Sequence, residues 1–159
     1  MVREITLLLH FIGFGLLMTA TVAGFLLDRQ YRKASDLAAK AAVLKASKPI
    51  GLISPFGILL QLVSGIGNMH ALGYGLLTEG WLSAKIILFA IASISGILFG
   101  IVARKRGALV GAMAAGKAPA DAESTLRGYD GQMGMFYVVM PILLLMIICL
   151  SIYGRIGGQ

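Results

Sequence analysis

The chain has 159 residues, of which 58% are hydrophobic and only 13% are charged. Its mean hydropathy is +0.87, whereas a soluble domain carries about 25% charged residues. The composition excludes an ordinary soluble domain, and the length suits a single membrane domain over residues 1–159. The net charge of +7 does not indicate nucleic-acid binding, because the basic residues stand in blocks between apolar runs, as they do beside membranes.

Four segments are long and apolar enough to cross a bilayer, which takes about 20 residues per helix. They cover residues 5–27, 50–74, 81–103 and 135–153. The first is longer than the apolar region of a signal peptide and is followed by charged residues without a small-residue cleavage site, so we expect it to be retained. The pattern predicts an all-α integral membrane four-helix bundle.

The two segments between spans on one side of the membrane, residues 28–49 and 104–134, hold eleven of the fourteen basic residues. By the positive-inside rule these loops are cytoplasmic. We therefore predict a multi-pass protein of the inner (cytoplasmic) membrane with both termini on the extracytoplasmic side. The first loop is rich in Ala and Lys and is expected to form a helix along the membrane surface. The second is rich in Gly, Ala and Pro and is expected to be less ordered.

Small and special residues give further local expectations. Pro49 and Pro55 are predicted in the first turns of the second helix, where a missing N–H donor has little consequence. Gly96 and Gly100 form a small-xxx-small pair that permits close helix approach. Cys149 stands alone in an apolar run, and the chain has no Cys-x-x-Cys-His motif, which excludes covalent c-type haem attachment.

Three ionisable residues lie inside the predicted spans: His10, His70 and Lys85. Such a residue is costly in hydrocarbon and indicates a functional site by default. Counted from the predicted span ends, the three lie about 8, 6 and 6 Å below the outer surface. The topology therefore predicts that they share one level in the outer third of the bilayer, and we expect them to line a common cavity.

The neighbours of the two histidines favour a flat cofactor. Gly13 follows His10 by one helical turn, and Gly67 precedes His70 by one turn, which leaves room for a macrocycle against the backbone. Neutral imidazole is a good axial ligand for haem iron. The resulting hypothesis is haem b ligated by His10 and His70, with Gly13 and Gly67 beside it. Lys85 would hold a carboxylate of a haem propionate or of a substrate.

Other interpretations of the same residues remain open. His70 could lie in the headgroup region, and Lys85 could extend its ammonium group to the outer interface. Gln61 and Asn68 could form interhelical hydrogen bonds or support a ligand. Met69 beside His70 is compatible with copper, although methionine is common in apolar helices.

Three runs carry a family resemblance: LLLHFIGF at 7–14, SPFGILLQLVSGI at 54–66 and EGWLSAKIILFAI at 79–91. Together they resemble the HemJ-type protoporphyrinogen oxidases, and they are also similar to the membrane domain of CopD-type copper proteins. The resemblance implies bound haem b, with His10 and Lys85 as functional residues. It further implies a porphyrin substrate, protoporphyrinogen IX, and a membrane electron acceptor. His70 has no counterpart in that pattern.

Three functions follow as expectations. The first is a haem-b oxidoreductase or electron-transfer protein of the membrane, in its HemJ-like form an oxidase of protoporphyrinogen IX. The second is a non-catalytic small subunit of a larger membrane complex, or a homo-oligomer. The third is a component of copper or solute transport. Membrane lipid is an expected partner in each case, and nucleic acid in none.

Overall fold

The computed structural model describes residues 2–75 and 79–156, and these fold into four α-helices. The helices are α1 (Val2–Lys33), α2 (Leu37–Leu72), α3 (Gly80–Ala114) and α4 (Ala122–Ile156). Each contains a stretch long and apolar enough to cross a membrane. The predicted all-α fold of four membrane-spanning helices is confirmed. The side of the membrane on which the termini lie stays a prediction.

The bundle consists of two helical hairpins. Helix α1 packs closely on α2, and α3 packs on α4, whereas the contacts between the hairpins are fewer. We call the end with His10, His70 and Lys85 the histidine end; it holds the starts of α1 and α3 and the ends of α2 and α4. The opposite end, which carries most of the basic residues, is the basic end.

The helices continue well beyond the predicted spans at the basic end. The expectation of a poorly ordered second loop was wrong, because α3 continues to Ala114 and α4 begins at Ala122. Tyr31, Val110 and Leu126 form a buried cluster there, and Ala41 and Leu44 of the α2 extension pack against it. The extension of α2 therefore belongs to the bundle rather than lying separately along the membrane surface. Tertiary burial at this end decides the helix lengths.

Local chemistry explains where α2 begins and ends. The side chain of Asp36 caps its first turn by accepting the Ala39 N–H at 2.7 Å. Gly73 ends it with a φ of 71°, a left-handed conformation that glycine adopts without strain. Pro49 and Pro55 lie inside this longer helix. The prediction that they occupy its first turns was wrong, because the helix starts at the Asp36 cap.

The outside of the bundle is apolar. Large hydrophobic side chains on all four helices are exposed, including Phe11, Phe56, Ile87 and Val138. Contiguous apolar surface of this extent indicates an interaction surface rather than a water-facing one. In a spanning bundle, that surface contacts the hydrocarbon of the membrane.

An apolar layer fills the middle of the bundle. Ala92, Met140 and Leu144 are buried there, and Phe14 and Met18 of α1 pack against them. This layer joins the α3–α4 hairpin to α1. It also separates the polar groups of the histidine end from those of the basic end.

Two glycines allow α1 and α2 to approach closely. A Cβ atom added at Gly13 would lie 3.0 Å from the backbone nitrogen of Gln61, and one added at Gly57 would lie 3.0 Å from the side chain of Leu17. Gly15, on another face of α1, has nothing within 4 Å of such an atom. The glycine requirement is therefore specific to the face that packs on α2.

Gly13→Ala is expected to destabilise the protein, because the new methyl group must push α2 away or distort it, at about 1–3 kcal/mol. Gly15→Ala has open space and should be neutral or stabilising, since alanine is the better helix former. Unfolding of both variants in detergent, followed by circular dichroism, measures the difference. Equal stability of the two variants would contradict the close approach at Gly13.

Candidate functional site at the histidine end

The imidazole of His10 lies between α1 and α2, where its Nδ1 is 3.0 Å from the Ser64 hydroxyl oxygen. That hydroxyl donates its only hydrogen to the Leu60 carbonyl at 2.5 Å. With its hydrogen in that bond, the hydroxyl accepts a hydrogen bond from Nδ1–H of His10. In this arrangement Nε2 of His10 carries no proton. Nε2 is thus left with a lone pair that can coordinate a metal or accept a proton.

Further polar contacts hold α1 and α2 in register around His10. The amide nitrogen of Gln61, a buried residue, donates to the His10 carbonyl at 2.7 Å. One turn towards the end of the bundle, the Thr6 hydroxyl donates to Asn68 at 2.7 Å. Both are interhelical hydrogen bonds, one of the two roles that the sequence suggested for Gln61 and Asn68. They fix the rotation of α1 and hence the direction of the imidazole ring.

The space beside the two glycines predicted to face a macrocycle is filled by other side chains and backbone of this protein. A Cβ at Gly13 would meet Gln61, and one at Gly67 would lie 2.7 Å from the Thr6 methyl group. Gly65 is also close to the ring, 3.6 Å from Cε1 of His10 by the same measure. Helix packing accounts for these glycines in this arrangement, and the cofactor contact expected of Gly13 and Gly67 stays a prediction.

His70 is placed on a different face of α2 from the one that meets His10. The residues of α2 whose side chains hydrogen-bond to α1 here are Gln61, Ser64 and Asn68, which recur every three or four residues. His70 follows Asn68 by two residues, a rotation of about 200°, and it is exposed. The geometry therefore does not bring His70 to the Nδ1 side of His10, which Ser64 occupies.

Lys85 lies partly buried on α3. Its positive charge is coupled electrostatically to His10. Nearby, Trp81 packs against Gly154 of α4 and meets the Tyr74 ring edge-on at 5.7 Å. These aromatic contacts hold the start of α3 against α4 and the end of α2.

Sequence reasoning missed a buried ionic network at the basic end. Arg106 is only 2% exposed, and its Nη1 donates to Asp28 at 2.6 Å while its Nε donates to Asp130 at 2.7 Å. Arg32 also donates to Asp28, at 2.6 Å. The guanidinium of Arg106 lies 3.7 Å from the centre of the Tyr31 ring.

All members of this network were assigned to the loops, because they lie outside the apolar runs. Their similar distance from the membrane could have revealed them. Asp28, Arg106 and Asp130 each stand a few residues beyond a predicted span end. Helices that continued past the membrane would bring them together.

Among the described residues, no group of three or more His, Cys, Asp or Glu side chains could hold a metal ion. A haem needs fewer protein ligands, one or two axial groups, so His10 is the ligand to consider. Comparison with family models, curated proteins and solved structures gives no match. The resemblance to the HemJ-type oxidases and CopD-type proteins therefore stays a prediction.

Arg106→Ala should cost about 3–5 kcal/mol of stability, because it leaves the Asp28 carboxylate buried without its partner. Arg104→Ala is the matched control, since Arg104 is exposed on the same helix, and it should change stability by less than about 0.5 kcal/mol. Thermal unfolding in detergent compares the two. Similar midpoints would show that the network does not support the fold.

Proposed function

We propose that this chain is a haem-b protein of the membrane, with His10 as an axial ligand through Nε2. The observation that carries the proposal is the hydrogen bond between Nδ1 of His10 and the Ser64 hydroxyl. Metal-binding histidines generally donate their other ring N–H to a fixed acceptor, which sets the tautomer and the ring orientation. Ser64 fills that role here.

The ligand atom that His10 offers is of a type that binds haem iron. His10 supplies a neutral imidazole nitrogen, the axial ligand type of many haem proteins. When bound, haem b supplies one-electron redox chemistry, which makes the protein an oxidoreductase or an electron-transfer protein. The residues of this chain orient the imidazole through Ser64 and keep the site within apolar helices.

Lys85 supplies the second element of the proposed site. Lys85 is partly buried, and an ammonium group at such a site attracts a carboxylate, because partial exclusion of water reduces the screening of its charge. The electrostatic coupling of Lys85 to His10 supports a role for Lys85 in holding a carboxylate near the haem. That carboxylate would be a haem propionate or a carboxylate side chain of a porphyrin substrate. In the HemJ-like form of the proposal, the substrate is protoporphyrinogen IX and a membrane acceptor takes the electrons.

His70 is exposed, and we propose His10 alone as the protein ligand. Two histidine ligands would saturate the iron and favour electron transfer, whereas one leaves a coordination position open. His10 as the single ligand is therefore compatible with an enzyme as well as with a carrier.

A specific observation favours a second candidate, a small subunit of a larger membrane assembly. On α3, a Cβ added at Gly96, Gly100, Gly107 or Gly111 would have nothing within 4 Å. The small-xxx-small pair Gly96 and Gly100 thus faces open space rather than another helix of this chain. Such faces suit close packing against a partner helix. The mass of the protein isolated in mild detergent separates this candidate from a self-contained carrier.

The haem proposal predicts the absorbance of purified protein from haem-replete cells: a Soret band and an α band on reduction. His10→Ala should lose most of the haem. His70→Ala should keep it, because the exposed imidazole is not needed, and Lys85→Ala should keep it while impairing substrate use. Complementation of a strain lacking protoporphyrinogen oxidase distinguishes enzyme from carrier. Colourless wild-type protein, or full haem content in His10→Ala, would refute the ligand assignment.

The role of Ser64 predicts a smaller, graded effect. Ser64→Ala should weaken haem binding about 10- to 100-fold, because the ring loses the acceptor that fixes its tautomer. Ser151→Ala is the control, since Ser151 makes the same kind of bond to a backbone carbonyl, Ile147 at 2.7 Å, on α4. Haem titration of the apoproteins measures both. Equal affinities for the two variants would remove the observation on which the proposal rests.

A further inference from the structure

At the basic end, the exposed charged residues near the membrane are mainly cationic, whereas the charged residues farther from it include cations and acids in equal number. Apart from Arg32, which pairs with Asp28, six exposed cations lie within six residues, or about 9 Å, of a predicted span end. We call them the collar: Arg29, Lys33, Lys45, Lys48, Arg104 and Lys105. They come from α1, α2 and α3, so they surround three helices where these enter the bilayer.

The acidic residues at the same level pair with arginines of the bundle. Asp28 is 8% exposed and is neutralised by Arg106 and Arg32. Asp130 pairs with the buried Arg106, at 2.7 Å. The charges of two carboxylates at the level of the collar are thus neutralised by Arg106 and Arg32, with Asp28 buried and the Asp130 side chain 26% exposed. The collar is left with an uncompensated positive charge.

Farther from the membrane the charges balance. The tip, which starts about 12 Å beyond the predicted spans, carries three cations and three acids: Lys40, Lys117, Arg127, Asp36, Asp121 and Glu123. An acidic protein or a nucleic acid arriving from solution would meet this balanced tip first. The segregation therefore favours a partner that lies in the plane of the membrane.

We propose that the collar binds the phosphate groups of anionic phospholipids in the adjacent leaflet. Attraction between basic residues and an anionic membrane surface falls off within a Debye length, about 8 Å at physiological salt. The collar lies within about that distance of the predicted span ends, and the tip lies beyond it. The proposal is independent of haem and of the side of the membrane that the basic end faces.

Two double variants of equal charge change test the proposal. Lys48→Gln with Arg104→Gln removes one lysine and one arginine from the collar. Lys117→Gln with Arg127→Gln removes the same pair of residue types from the tip. The proteins are reconstituted in phosphatidylcholine with spin-labelled phosphatidylglycerol or spin-labelled phosphatidylcholine, and the protein-associated fraction of each label is measured.

Wild-type protein should prefer phosphatidylglycerol at least about twofold, and 1 M salt should remove the preference. The collar variant should lose most of it and the tip variant should keep it. Lys48→Arg with Arg104→Lys, which retains the charge, should also keep it, which excludes a folding defect at these positions. No wild-type preference, or equal loss in the collar and tip variants, would overturn the proposal.

Discussion

The buried guanidinium of Arg106 is the constraint on which the arrangement of the two hairpins depends. A charged group so far removed from water needs partners of opposite charge with good geometry, and Asp28 of α1 and Asp130 of α4 provide them at 2.6 and 2.7 Å. One side chain of α3 thereby determines how α1, α3 and α4 are rotated at the basic end. The contacts between the hairpins are fewer than those within them. This ionic network, the buried cluster around Tyr31 and Val110 and the apolar layer around Ala92 and Met140 position the hairpins relative to one another.

Buried polar groups are paired differently at the two ends of the bundle. At the basic end, charges neutralise each other around Arg106. At the histidine end, neutral groups pair across α1 and α2: Ser64 with His10, and Thr6 with Asn68. Neutral pairs require less desolvation than ions, and they leave one nitrogen of His10 uncommitted. The apolar layer stands between these two regions, so a ligand of His10 belongs to the histidine end alone.

The pairing of Asp28 and Asp130 with arginines also affects the surface. The same ionic network that positions the hairpins neutralises the acidic residues at the level where the helices enter the bilayer. Packing and surface charge are therefore coupled in this protein. A change that released Asp28 would weaken the bundle and also reduce the positive charge presented to the headgroups.

The sequence by itself determined the number of spans and their approximate positions, because transfer into hydrocarbon depends on summed local composition. It did not predict that α3 continues to Ala114 and that α4 begins at Ala122, because burial of Val110 and Leu126 stabilises these helical extensions. Only the tertiary structure decided that His10 meets Ser64 while His70 is exposed, and that Arg106 is buried. Composition does not specify the rotation of a helix about its own axis, since that rotation depends on which side chains of two or three helices fit together.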